Sequence, residues 1–150
     1  MFVGALFLAG ILLPSKFTVT LTPSIEYRIF FLKRFFTSAE ITRGRYVMFD
    51  LPDEFANLVS AKNLPAIKEI VGIEGDRLEV VGRSFFCNGK SIGKAKQYSL
   101  EGERIEHFKE STVIPGGKLF VVGHHKDSLD SKYFGFLDKR DVLAIAYPIF

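Results

Sequence analysis

The sequence predicts a mainly β domain of antiparallel strands with one or two short helices, preceded by a short N-terminal membrane anchor. Short apolar segments recur at close spacing between Gly, Pro and Asn-Gly turn signals, the pattern of antiparallel sheets. Helical spacing of apolar residues shows clearly after Asp53, and the long apolar run stands at the very start. At 150 residues, the chain fits one domain and a short appendage.

Phe2 to Leu13 is apolar or small throughout. As a helix it spans about 18 Å against a hydrocarbon core of about 30 Å. Extending it to Leu21 gives the length but takes in Pro14, Ser15 and Lys16. A signal peptide, a membrane anchor and a buried core segment compete for this run. No Lys or Arg precedes it and no small-x-small site follows Leu13, which favours the anchor. The expected organisation is an anchor and lead-in over 1–21 and a domain over 22–150.

Tyr27 to Phe36 mixes aromatic rings with cations, which suits a membrane interface or a pair of core strands with solvated charges. Gly44 to Asp50 reads as a strand ended by Pro52. Asp53 reads as the N-cap of a short amphipathic helix, with Phe55, Leu58 and Val59 on one face, running to about Leu64. Strands follow at Ala66 to Val71 and Arg77 to Val81, separated by a turn over Gly72 to Asp76. Asn88-Gly89 between two apolar-rich arms predicts a tight hairpin across Ser84 to Ile92. The stretch from about 93 to 117 is polar and predicts an exposed excursion closed by the Pro115-Gly116-Gly117 turn. Lys118 to Val122 and about Val142 to Tyr147 complete the strands.

Composition narrows the function. The formal charge of +3 comes from twenty basic and seventeen acidic residues spread along the chain, without the basic stripe that nucleic-acid binding needs, so no nucleic-acid partner is expected. Cys87 is the only cysteine, which excludes an intramolecular disulfide and a site built on paired thiolates. It reads as a small strand residue, and no metal or cofactor is expected. Sixteen Phe and no Trp give an apolar surplus, some of which can face lipid.

Thr22-Pro23-Ser24 places a hydroxyl just beyond the apolar run, close to a membrane. A serine hydroxyl is a weak nucleophile at neutral pH and needs a base. His107 and the adjacent His124 and His125 are candidates, with Asp127 and Asp130 near enough in sequence to orient an imidazole. A lysine is the alternative, provided burial holds it neutral, because at an ordinary pKa of about 10.4 only about one in 2,500 is neutral at pH 7. Lys68, between Ala66, Ile67, Ile70 and Val71, fits that requirement better than the other lysines.

The motifs Thr22-Pro23-Ser24, Gly44-x-Tyr-Val-x-Phe, Lys68-x-x-x-Gly72-x-x-Gly75-Asp76, Asn88-Gly89, Gly123 and Ser128-Leu-Asp130-Ser-Lys-Tyr-Phe-Gly135 occur in that order. In order and approximate spacing they resemble the type I signal peptidases over nearly the whole chain. The short length and the last motif look most like the TraF-type peptidases of conjugative transfer systems, which process pilin precursors. The resemblance implies a signal-peptidase-like β fold with Ser24 as nucleophile and Lys68 as general base. It implies an oxyanion hole from the Ser24 amide and the Thr22 hydroxyl, with Ser128 bonded to the lysine amine and Asp130 paired with Lys132.

It further implies a serine endopeptidase at the periplasmic side of a bacterial inner membrane. Its partners would be the bilayer, a preprotein or pilin precursor, and other proteins of a conjugation apparatus. A general signal peptidase and a non-catalytic scaffold of a conjugation or secretion apparatus are the alternatives. Departures from the family pattern are Glu26, Tyr27 and Arg28 where a proline and, in the TraF type, a glycine follow the serine; Glu69 for an arginine; Glu74 for a proline; and Arg45 for an aspartate.

Overall fold

The computed structural model describes residues 17–19, 29–56 and 65–150. The strands are β1 Phe17–Val19, β2 Ile29–Lys33, β3 Tyr46–Phe49, β4 Ala66–Ile73, β5 Arg77–Val81, β6 Ser84–Cys87, β7 Lys90–Lys94, β8 Thr112–Val113, β9 Lys118–Val122, β10 Leu137–Asp138 and β11 Val142–Pro148. Two short helices, α1 Asp53–Ala56 and α2 Ser131–Phe134, lie among the described residues. The fold class is mainly antiparallel β, as the turn-punctuated strand pattern predicts.

Among the described residues, seven strands form one sheet in the order β1-β2-β11-β3-β4-β9-β10, and four form a second in the order β7-β6-β5-β8. Alternation along β3 sorts its side chains to opposite faces of the larger sheet. Tyr46 and Met48 join Phe30, Leu32, Ile67, Ala144 and Ala146 on one side. Val47 and Phe49 join Ile41, Ile70, Leu119, Val121, Leu137 and Val142 on the other. A third cluster, with Leu78, Phe85, Ile114, Phe120 and Val122, welds the two sheets together.

Two local features fix how the sheets meet. Gly72 lies where a Cβ would stand 2.6 Å from Ile114 Cδ1 and 3.2 Å from Phe120 Cβ, so only glycine lets β4 pass under the third cluster. Asn88 and Gly89 have φ of 50° and 80°, the pair of positive values that a two-residue hairpin turn requires between β6 and β7. The Asn88 side chain then reaches back to Asp76 at 3.0 Å, and Asp76 also accepts the Ile73 N–H at 2.9 Å and bonds Arg43. Burial pushes the Asp76 carboxyl up, and these donors outweigh it, leaving the group below the ordinary carboxylate range.

Several expectations meet a different outcome. The supposed turn from Gly72 is shorter, because β4 continues to Ile73 through a register shift between Ile70 and Gly72. Asp53 opens the first turn of α1, where the Phe55 N–H reaches the Pro52 carbonyl at 2.8 Å; the remainder of that expected helix lies outside the described residues. The polar excursion is not wholly exposed: Ala95 and Ile114 are buried, and Ile105 and Phe108 pack on the third cluster. Its polar composition hides widely spaced apolar anchors that have no period to betray them.

The apolar run Phe2 to Leu13 and the segment with Thr22 and Ser24 lie outside the described residues. Extension of a helix from that run to Leu21 is not what forms, since Phe17–Val19 is a strand paired with β2. No helix among the described residues is long and apolar enough to cross a membrane. Within Tyr27 to Phe36, β2 buries Phe30 and Leu32, while Phe35 beyond it is 92% exposed.

Candidate active site

Lys68 sits mid-strand in β4, flanked by β3 on one side and β9 on the other. It pairs in register with Val47, and it is 4% exposed. Its stem therefore runs through apolar surroundings to an amine that must find a partner within the protein. That partner is Ser128, whose Oγ accepts from the Lys68 Nζ at 2.8 Å. Desolvation lowers the amine pKa from 10.5 to about 8; Asp130 nearby opposes this and Lys132 reinforces it. With a pKa of about 8, roughly one molecule in ten carries a neutral lysine at pH 7.

The segment that delivers Ser128 is held by the residues that follow it. Asp130, fully buried, caps α2 by accepting the Lys132 N–H at 3.0 Å, and it also accepts the Gly123 N–H at 2.9 Å and the Lys132 ammonium at 2.7 Å. Ser131 Oγ accepts the Val121 N–H at 2.9 Å, and the Tyr133 hydroxyl accepts the Lys96 N–H at 2.9 Å. Gly135 ends α2 with φ of 82°, and a Cβ there would stand 2.9 Å from the Phe108 ring. The motif Ser128 to Gly135 is thus one hydrogen-bonded unit, docked on β9 and facing Lys68.

The structure brings together Lys68, Ser128, Asp130 and Lys132; Thr22 and Ser24 lie outside the described residues. The histidines are engaged elsewhere. His107 Nε2 contacts the Gly82 carbonyl at 2.8 Å, and His125 Nδ1 accepts the Asp127 N–H at 3.2 Å. The Asp127 carboxylate is bonded to Lys96. Cys87 is buried, and burial raises its thiol pKa, opposite to what a reactive thiolate requires.

One pairing escapes sequence reasoning. His124 Nε2 bonds the Glu69 carboxylate while its ring stacks on Tyr46, with centroids 6.3 Å apart. It joins the residue after Lys68 to the residue after Gly123, so it bridges the two backbones that frame the amine. The unusual Glu69 was the visible signal, and its partner 55 residues away was not.

The family model described as signal peptidase, peptidase S26, matches residues 2–150. This chain belongs to that family. A signal peptidase I from Bacillus licheniformis is 27% identical over 131 residues, covering 82% of this chain and 66% of that one. A signal peptidase I from Bacillus caldolyticus is 30% identical over 88 residues, covering 51% and 48%. The chain spans about half to two thirds of the length of the curated relatives it matches. Among solved structures, a signal peptidase I from Enterococcus faecalis is 21% identical, covering 69% of this chain and 94% of that one at a TM-score of 0.44. In this member of the signal peptidase S26 family, the buried lysine, its serine partner and the aspartate-capped helix lie within the matched region.

Proposed function

We propose that this chain is a serine endopeptidase in which Ser24 is the nucleophile and Lys68 its general base. The neutral Lys68 amine takes the Ser24 hydroxyl proton as Oγ bonds to the scissile carbonyl carbon. The Ser24 amide and the Thr22 hydroxyl donate to the resulting oxyanion. Collapse breaks the C–N bond, and the Lys68 ammonium returns its proton to the leaving amine. Water, deprotonated by the same amine, then attacks the acyl ester and restores Ser24. The observation that supports this most is the buried Lys68 amine, held by Ser128, with a pKa of about 8. A general base works best with a pKa near the operating pH. No imidazole ring hydrogen-bonds Lys68 or Ser128 among the described residues, which favours lysine over imidazole as the base.

The substrate is an exported preprotein that enters as an extended segment beside the membrane. In this reading, residues 1–21 are an anchor in a bacterial inner membrane and a lead-in that already joins the sheet at Phe17–Val19, with 22–150 on the periplasmic side. A conjugative pilin precursor is the specific substrate, on the strength of the short excursion between β7 and β9 and the Ser-x-Asp-Ser-Lys-Tyr-Phe-Gly motif. General removal of signal peptides is the second reading, favoured by the names of the relatives in Bacillus.

Incubating the full chain with a pilin precursor and with a general signal-peptide precursor tests both. Wild type is expected to cleave the pilin precursor faster, while Ser24→Ala and Lys68→Ala lose all detectable cleavage. Variants that cut like wild type would overturn the dyad. Equal cleavage of both precursors would favour the general peptidase, and no cleavage of either would leave a scaffold role in the conjugation or secretion apparatus.

A further inference from the structure

A groove of about 1180 Å³ opens between the β6–β7 hairpin and the ends of β4 and β9, and neither Lys68 nor Ser128 lines it. Glu69, next to Lys68, and Gly123, whose N–H bonds Asp130, both line it, as does Lys132. Its lining is strongly one-signed. Arg43, Lys90, Lys94, Lys126 and Lys132 face it, against the single carboxylate of Glu69.

Pairing separates these cations into two groups. Arg43 is neutralised by Asp76, Lys132 by Asp130, and Glu69 is taken by His124. Lys90, Lys94 and Lys126 are exposed and have no ionic partner among the described residues. Two of them come from the hairpin and one from the loop after β9, so the cluster is assembled by folding. Between them the groove has an apolar base that includes Val71 and Ile92.

From this arrangement we infer that the groove binds an acidic segment of the substrate polypeptide, with Lys90, Lys94 and Lys126 as its specificity-determining residues. This rests on the peptidase reading, since it assigns the groove to the substrate of that site. Three cations around an apolar base match a peptide in which carboxylates alternate with small apolar side chains. Single-stranded nucleic acid calls for aromatic stacking platforms, and the lining offers no Phe, Tyr or Trp. The volume also far exceeds that of a lone carboxylate or phosphate.

The test measures binding apart from cleavage. A fluorescent heptapeptide, Ala-Glu-Ala-Val-Ala-Glu-Ala, and its Gln counterpart are titrated against the full chain by anisotropy at low salt. The Glu peptide is expected to bind about tenfold tighter, as a few exposed ion pairs each contribute a few-fold. The difference should fade at high salt. Lys90→Glu/Lys94→Glu/Lys126→Glu should abolish the preference and favour a Lys-bearing peptide, with its folding checked by circular dichroism. Lys126→Glu alone, in a different element, should weaken the Glu peptide about threefold.

Equal binding of the Glu and Gln peptides overturns the inference, and so does displacement of the Glu peptide by phosphatidylglycerol vesicles or an oligothymidylate that binds more tightly. Cleavage of precursors carrying the same Glu or Gln segments is followed in parallel. Retained charge preference without any cleavage would remove the peptidase reading and leave the groove as a peptide site.

Discussion

Replacing Lys68 with methionine separates what the buried amine costs the fold from what it does for chemistry. Desolvation lowers the amine from 10.5 in the unfolded chain to about 8 in the folded one. That difference corresponds to about 3 kcal/mol against the folded state when the group is charged. The sign follows from proton binding: between about pH 8 and 10.5 the unfolded chain holds more protons, so stability rises with pH across that window and the full cost is present below it. Methionine has a similar length and no charge. It removes the cost of about 3 kcal/mol but strands the Ser128 hydroxyl, which takes back about 1 kcal/mol.

The net expectation is that Lys68→Met is about 2 kcal/mol more stable than wild type at pH 7, and that this advantage shrinks by about 2 kcal/mol at pH 9.5. Urea unfolding followed by circular dichroism at the two pH values reads both quantities. Taking the difference between variant and wild type cancels titrations common to both, including those of Tyr133 and Cys87, each shifted upward by burial. An advantage that is absent at pH 7, or that does not change with pH, would refute the burial argument. Cleavage should be lost in this variant at every pH.

Three further outcomes follow from the same geometry. Ser128→Ala removes the hydrogen bond that holds the Lys68 amine among the described residues and should lower kcat at least tenfold with little change in KM, read from steady-state cleavage of a precursor peptide. In wild type, activity should rise through a pKa of about 8; Lys132→Met, which deletes a cation that pushes the amine down, should move that rise to higher pH. Glu69→Arg and His124→Asp should each destabilise the fold, and the double variant should recover about 0.5 to 1 kcal/mol of coupling in a double-mutant cycle from urea melts.

Much of the fold was legible because the signals are local. Asn88-Gly89 specifies a turn by two positive φ values, and the hairpin β6–β7 forms around it. Strand β5 announces itself by the one-face spacing of Leu78 and Val80, and β4 and β9 by apolar residues beside turn signals. Illegible elements lacked such signals. α2 is a single turn held by the Asp130 cap and by bonds to Val121 and Lys96, partners that no periodicity of four residues can reveal. The excursion across 93–117 read as exposed because Ala95, Ile105, Phe108 and Ile114 are spaced irregularly, yet these residues cover the third cluster.

The candidate site divides in the same way. By itself the sequence determined which residue types were available: Ser24 behind an apolar run, a lysine among apolar strand neighbours, and the motif from Ser128 to Gly135. Only the tertiary structure decided that Lys68 is dry enough to titrate near 8, since this depends on β3 and β9 closing over β4 on both sides. The same holds for the hydrogen bond from Lys68 to Ser128 across sixty positions, for the pairing of Glu69 with His124, and for the basic groove whose lysines come from β7 and from the distant loop after β9. Burial and charge pairing are properties of neighbours in space, and a chain written in one dimension names those residues without saying which of them meet.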